Sequence, residues 1–173
     1  VHVAQNVGEK VTEPWEVEAF KLPALLTTMY ERRWLGEKTG QGFYKKEKSG
    51  GEKKILTLDP AALDYREQQK ARFGSLEAAK NATSVPDRIR ALLKAGDKDK
   101  GSKFAWKTLR EMMVYSALKA EEIADDVVSV DQAMRWGFNW ELGPFETWDA
   151  IGVKEAAERI EQEGGTVPAL VVE

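Results

Sequence analysis

Apolar residues recur at helical spacing through most of this chain. Leu22, Leu25, Leu26, Met29 and Tyr30 predict an amphipathic helix over residues 22–34, with Pro23 in a first turn where its missing N–H would be unpaired anyway. The stretch Gly36-Glu37-Lys38-Thr39-Gly40-Gln41-Gly42-Phe43-Tyr44 breaks that period, because three glycines in seven residues destroy helix propensity. Residues 45–54 are charged, with Gly50-Gly51 at their centre, and read as a solvated loop and subdomain boundary. Ile55-Leu56-Thr57-Leu58 reads as a short extended segment that ends at Asp59-Pro60. Weak helical signals follow over 60–70 and clearer ones over 75–82.

Ser84-Val85-Pro86-Asp87 reads as a helix start with Ser84 as cap, leading into Ile89, Leu92 and Leu93 and ending at Gly96. The strongest helix spans 103–124. Phe104, Leu109, Met112, Met113, Ser116, Ala117, Ala120 and Ile123 form its expected inner face. Ser129-Val130-Asp131-Gln132 has the form of a capping box, opening a short helix that ends at Gly137. Gly143-Pro144 opens another, with Phe145, Trp148 and Ile151 as its buried set and Gly152 as its end. Residues 154–163 form one more, and Thr166-Val167-Pro168 begins the last. With strand signals almost absent, the expected fold class is all-α.

Leu22-Pro23-Ala24-Leu25-Leu26 and Val167-Pro168-Ala169-Leu170-Val171 match each other, each with proline at a helix start. Taken as equivalent, they make the chain the back half of one helical unit followed by the front and middle of a second. The uncapped Val1, the missing initiator Met and a helix beginning just before Glu173 lead to the expectation of a piece of a longer chain.

Composition narrows the function classes. Hydrophobic residues at 42% and charged residues at 32% fit a folded domain over a disordered one. A net charge of -3 argues against a nucleic-acid-binding surface. Without cysteine there is no disulfide framework or thiolate metal site, which suits a cytoplasmic protein. No apolar run is long enough for a membrane span, and the N-terminus has no signal-peptide pattern.

Candidate chemistry is sparse. No Gly-x-Gly-x-x-Gly turn follows a strand, and the glycines at 36–42 follow a helix without preceding one, so they read as a tight turn that packs Phe43 and Tyr44 back onto the helices. His2 is isolated, which makes it a poor acid–base candidate. Glu121, Glu122, Asp125 and Asp126 read as a solvated run. Lys45, Lys46, Lys48, Lys53 and Lys54 could attract the phosphates of a nucleotide-bearing ligand, though a soluble loop is the ordinary reading. Trp136, Phe138, Trp140, Phe145 and Trp148 form the densest aromatic cluster, expected to be core at a rigid corner.

Two strings carry more. The 36–44 segment resembles the close of the C-terminal helical domain of 3-hydroxyacyl-CoA dehydrogenases. Its motif residues are Lys38, Gly40, Gly42, Phe43 and Tyr44. Residues 131–152, Asp-Gln-Ala-Met-Arg-Trp-Gly-Phe-Asn-Trp-Glu-Leu-Gly-Pro-Phe-Glu-Thr-Trp-Asp-Ala-Ile-Gly, resemble the middle of that same domain. The order, one copy's end before another copy's middle, resembles long dehydrogenases with two such domains in tandem, often followed by an enoyl-CoA hydratase domain. That resemblance divides the chain into 1–46, the end of a first helical domain; 47–100, linker and packing helices; and 101–173, a second, truncated helical domain.

The resemblance implies NAD-dependent oxidation of an L-3-hydroxyacyl-CoA in the full-length enzyme, with a catalytic histidine and glutamate in or near a Rossmann domain absent here. Where the family's first helical domain carries a substrate-assisting Asn-Arg, the matching helix here has Trp106-Lys107. No catalytic or metal-ligating residue carries over, and no cofactor is expected on this piece. Its expected partners are the Rossmann domain of the same chain, the acyl-CoA substrate, and a second copy through helical faces. Trp140, Glu141, Leu142, Gly143 and Pro144 are the candidates for the wall of the acyl-CoA cleft. The alternative is a stand-alone helical interaction or acyl-CoA-binding module without catalysis.

Overall fold

The computed structural model describes residues 2–49 and 52–172; the Gly50-Gly51 centre of the expected loop and the side chains of His2 and Lys48 lie outside the described residues. The backbone divides into two compact units, Val1–Lys70 and Ala71–Glu173. The segment 47–100, expected as linker and packing helices, is shared between them.

In the first unit, α1 (His2–Gly8), α2 (Pro14–Ala19) and α3 (Ala24–Glu31) precede a turn of 3-10 helix at Glu37–Thr39. The all-α expectation holds only in part: most of the described chain outside the turns is helical, but the first unit also carries a small sheet. Strands β1 (Tyr44–Ser49), β2 (Glu52–Asp59) and β3 (Asp64–Glu67) form an antiparallel meander in the order β1-β2-β3; β2 contains the expected extended segment 55–58, whereas β1 and β3 stand where a loop and a weak helix were expected. The register sets Tyr44 opposite Thr57 and Lys46 opposite Ile55, then Leu58 opposite Tyr65. Charged residues occupy both faces of β1, Lys46 on one and Lys45 with Glu47 on the other, so no alternation of apolar and polar residues announces it. Its ladder of backbone hydrogen bonds needs none. Only the inner face is covered: Leu58 is buried, and the Tyr65 hydroxyl donates to the Gly42 carbonyl at 2.6 Å.

The second unit is helical. It comprises α4 (Gly74–Lys80), α5 (Val85–Leu93), α6 (Lys100–Ile123), α7 (Val127–Phe138), α8 (Pro144–Ile151), α9 (Val153–Gln162) and α10 (Ala169–Val172). Ser84 caps α5 as expected, accepting from Asp87 N–H at 3.2 Å. The long helix starts three residues early because Asp99, not a later residue, is its cap: Asp99 Oδ1 accepts from Ser102 N–H at 2.9 Å and from Ser75 Oγ at 2.5 Å. Ser102, Trp106, Met113, Ala117 and Ala120 follow at helical spacing as the buried stripe. Trp106 and Met113 meet Trp148, Ala156 and Ile160 in the main core cluster. Phe104 and Ile123, expected on the inner face, are exposed. They stand off the stripe, and apolar character alone did not place them in it.

Two local expectations for α7 also fail. Its cap is Asp126, whose Oδ1 accepts from Ser129 N–H at 2.7 Å, so Ser129 is already inside the helix and forms no capping box with Gln132. The helix runs past Gly137 to Phe138 and stops at Asn139, which adopts the left-handed conformation (φ 56°) that asparagine tolerates. Trp136 and Phe138 lie on the exposed side of its last turn, 78% and 70% exposed, so the aromatic cluster is not one core. Phe145 and Trp148 alone of the five join the core.

Candidate functional site

The 131–152 string forms a corner built around a buried carboxylate. Asp131, 7% exposed on α7, accepts from the N–H groups of Phe145 (2.8 Å) and Glu146 (2.9 Å). These are unsatisfied donors of the first turn of α8, and the residue in its cap position, Gly143, has no side chain to serve them. Asp131 does so from across the corner. Glu146 completes the arrangement by accepting from Gly143 N–H at 2.8 Å and pairing with Arg135 at 2.9 Å. Thr147 Oγ1 donates to the Gly143 carbonyl at 2.7 Å.

Gly143 is required here. A Cβ at that position would lie 2.3 Å from Asp131 Oδ1 and 2.4 Å from its Cα. Burial raises the Asp131 pKa above the usual aspartate range, opposed by its two backbone donors and reinforced by the charges of Glu146 and Asp149. Each carboxylate oxygen of Asp131 accepts from one backbone donor of α8. Such a group caps a helix.

The five cleft-wall candidates fall in two environments. Gly143 and Pro144 are buried in this corner and Leu142 is half-buried, whereas Trp140 and Glu141 are exposed. Glu141 pairs with Arg88 at 3.4 Å. The corner joins all five through the chain.

The 36–44 string is a tight turn, as its glycines indicate. Thr39 Oγ1 accepts from Leu35 N–H at 3.0 Å and lies 3.3 Å from the Gly36 carbonyl and 3.2 Å from the Gln41 carbonyl. Gly36 N–H donates to the Gln41 carbonyl at 2.9 Å. Gly42 passes so close to Gly36 that a Cβ would lie 2.8 Å from its Cα and N. Lys38 and Gly40 are exposed, Gly42 is buried, and Phe43 and Tyr44 are about half exposed. The turn therefore does not fold Phe43 and Tyr44 away as its residue types suggested.

Trp106, where the resembled family carries a polar pair, is 3% exposed. Its ring N–H donates to Glu163 at 2.7 Å, and the Arg159 guanidinium lies 4.3 Å from its ring centroid. Arg110 and Arg159 also donate to Glu163, at 2.8 and 3.0 Å. Burial pushes the Glu163 pKa up, but Trp106, Arg159 and Arg110 overrule it and hold the carboxyl below its ordinary range. Sequence reasoning missed Glu163 and Asp131 as structural partners. Their partners lie 57 and 14 residues away in sequence, beyond any local motif.

Among the described residues no group of three histidine or acidic side chains is placed to hold a metal, and no helix is long and apolar enough to cross a membrane.

No protein-family model matches the chain, and no solved structure matches it. Curated proteins do. A Bacillus subtilis protein named as a probable 3-hydroxyacyl-CoA dehydrogenase is 45% identical over 172 residues, 99% of this chain. A Rickettsia felis protein named as a fatty acid oxidation complex trifunctional enzyme is 28% identical over 70% of it, and its Rickettsia prowazekii counterpart 25% over 68%. The chain spans 21% of the Bacillus protein's length and 15% of each Rickettsia protein's. The match to the Bacillus protein runs nearly end to end and so spans both strings, and this chain belongs to the 3-hydroxyacyl-CoA dehydrogenase family of fatty-acid oxidation proteins.

Proposed function

We propose that this chain is the helical, non-catalytic segment of a longer NAD-dependent L-3-hydroxyacyl-CoA dehydrogenase, in which it scaffolds the fold and forms part of the acyl-CoA cleft wall. The observation that carries the reading is Trp106. The place where a substrate-assisting polar pair is expected holds an indole sealed in the core, its one donor occupied by Glu163. A side chain so enclosed positions helices; it cannot reach a hydroxyacyl group.

The fit to NAD agrees. A dinucleotide fold needs a parallel βαβ unit with a glycine turn leading into a helix. The described strands form an antiparallel meander, and the glycine turn at 36–42 leads into β1. The described residues do not build that dinucleotide fold, so hydride transfer belongs to the rest of a longer chain. In this reading residues 1–46 and 101–173 derive from two copies of one helical domain, the whole protein has a cytoplasmic location, and the helical faces serve subunit packing. A second reading, a helical interaction module, draws support from the exposed Trp136 and Phe138.

Two measurements separate these. The 173-residue chain, given a 3-hydroxyacyl-CoA and NAD, should form no NADH above background; steady turnover would overturn the non-catalytic assignment. In the longer enzyme, acetoacetyl-CoA should slow amide exchange over residues 136–148. Unchanged exchange there would remove the cleft-wall role and leave the interaction module.

A further inference from the structure

The outer face of the β1–β2–β3 meander is a concave, half-apolar surface that neither the corner nor the family reading uses. A cavity of about 800 Å³ is lined by Gly36, Glu37, Phe43, Tyr44, Lys46 and Ile55, with Gln68 at its edge. Phe43, Tyr44 and Ile55 are each more than half exposed, an unusual grouping on a strand surface. Residues opposite each other in an antiparallel ladder share a face, and so do alternate residues along one strand. Tyr44, Lys46 and Ile55 are therefore on one side, and Lys53 follows on that side two residues before Ile55.

The charges on the hairpin are sorted. Residues 44–56 hold five lysines against two glutamates, in a chain whose net charge is -3. On the opposite face Lys54 is paired with Glu67 at 3.2 Å and Lys45 with Glu47 at 3.8 Å. On the cavity face the acid beside Lys46 is Glu37, and both partners of that pair are largely exposed. An exposed ion pair of this kind is worth little, so Lys46 can exchange Glu37 for a stronger anion. Lysines on sheet edges commonly guard against aggregation, which accounts for the charge but not for an aromatic cavity beside it.

We propose that this face binds a nucleotide, with the base against Tyr44, Phe43 and Ile55 and the phosphates at Lys46 and Lys53. The size suits a small-molecule site, the apolar floor offers the stacking surface that a base seeks, and the lysines supply positive charge without a fixed geometry. Since the site stands on residues of this chain alone, it does not depend on the dehydrogenase reading.

The test is titration of the 173-residue chain at low salt, followed by calorimetry and by amide NMR shifts at residues 43–46 and 53–55. The ligands are ADP, adenosine 3′,5′-bisphosphate, adenosine and inorganic pyrophosphate. ADP and the bisphosphate should saturate, and the tighter of the two points to a dinucleotide or to a coenzyme A end as the source. Adenosine and pyrophosphate should each bind at least about tenfold more weakly, since each offers only one of the two recognised features. Lys46→Glu should weaken ADP at least about tenfold. Glu37→Gln should tighten it by releasing Lys46, while Glu47→Gln on the opposite face should leave it unchanged. No saturation at millimolar ADP, equal affinity for ADP and pyrophosphate, or equal effects of the two glutamate variants would each overturn the proposal.

Discussion

The two glycine-bearing strings that mark this chain fold by different means. In the 36–44 turn the fixing contacts are short in sequence: Thr39 Oγ1 holds Leu35 N–H, and Gly36 bonds Gln41 across the turn. The turn is mostly exposed and leads into an exposed strand. In the 131–152 corner the fixing group is a buried aspartate that reaches the N–H groups of Phe145 and Glu146, 14 and 15 residues on. There the glycine is required by a neighbouring helix rather than by its own backbone conformation. Gly143 has an ordinary extended φ of -79°, whereas Gly36 has φ 94°. The contrast teaches that similar residue patterns can be locally or globally enforced. A local turn can be perturbed with little effect beyond it, but the corner positions Thr147 and Trp148, which are buried in the core of the second unit.

The largest effect should come from Gly143→Ala. Its Cβ would meet both Asp131 Oδ1 and the Asp131 Cα, so a backbone must shift as well as a side chain. We expect a loss of about 3 kcal/mol or more, the upper range for overpacking. Thermal unfolding followed by near-ultraviolet circular dichroism would read it. Trimming the side chain with Asp131→Ala should not rescue Gly143→Ala, because the contact with Cα persists. Full rescue would show that the carboxylate alone dictates the glycine.

Glu163→Gln should come next, at about 1–2 kcal/mol, because hydrogen bonds to a charged group are lost in a partly exposed site. Its pH dependence sharpens the comparison. The folded carboxyl sits below its ordinary 4.5, so the native state holds fewer protons than the unfolded chain as the pH falls through that region. Stability from Glu163 is therefore complete above about pH 4.5 and is lost as the pH drops below it. The gap in melting temperature between wild type and Glu163→Gln should be widest near neutrality and close under acid. Asp131 works in the opposite sense: its folded pKa is raised above 3.8, so its contribution declines as the pH rises. Because Asp131 is common to both proteins, it cancels from the gap. A gap independent of pH would mean that Glu163 is not held ionised by Trp106 and the two arginines.

Sequence patterns located most helices because each buries a stripe: Met113, Ala117 and Ala120 on α6, and Trp148 on α8, recur at the helical period. Ser84 and Gly143-Pro144 marked helix starts through chemistry confined to a few residues. Of the meander only Ile55-Leu56-Thr57-Leu58 announced itself as extended; Tyr44-Lys45-Lys46-Glu47 carries no apolar alternation, and β1 forms by pairing with residues 52–59, which no local pattern records. The caps at Asp99 and Asp126 were passed over for residues nearer the apolar run. Trp136 and Phe138 were assigned to the core by hydrophobicity, although that property does not say which side of α7 meets a neighbour. The corner's carboxylate was equally hidden: Asp131 reads as one more polar residue inside a helix, and only the approach of α8 gives it a role.

The smallest effect, and the one that tests whether the turn is local, should come from Thr39→Ala. Thr39 Oγ1 is the acceptor for Leu35 N–H and lies within hydrogen-bond distance of two carbonyls, so the methyl group of alanine leaves that N–H to solvent. The site is exposed, and water can replace the lost partner; the cost should be about 1 kcal/mol. Thr39→Ser keeps the hydroxyl and should cost only a few tenths of that. Native-state amide exchange gives the decisive readout. Faster exchange at Leu35, Gly36 and their neighbours in Thr39→Ala, with amides of α6 and α8 unchanged, would mark the turn as locally enforced. Acceleration in α6 and α8 as well would show that the first unit's turn and the second unit's corner unfold together, and the distinction between the two strings would collapse.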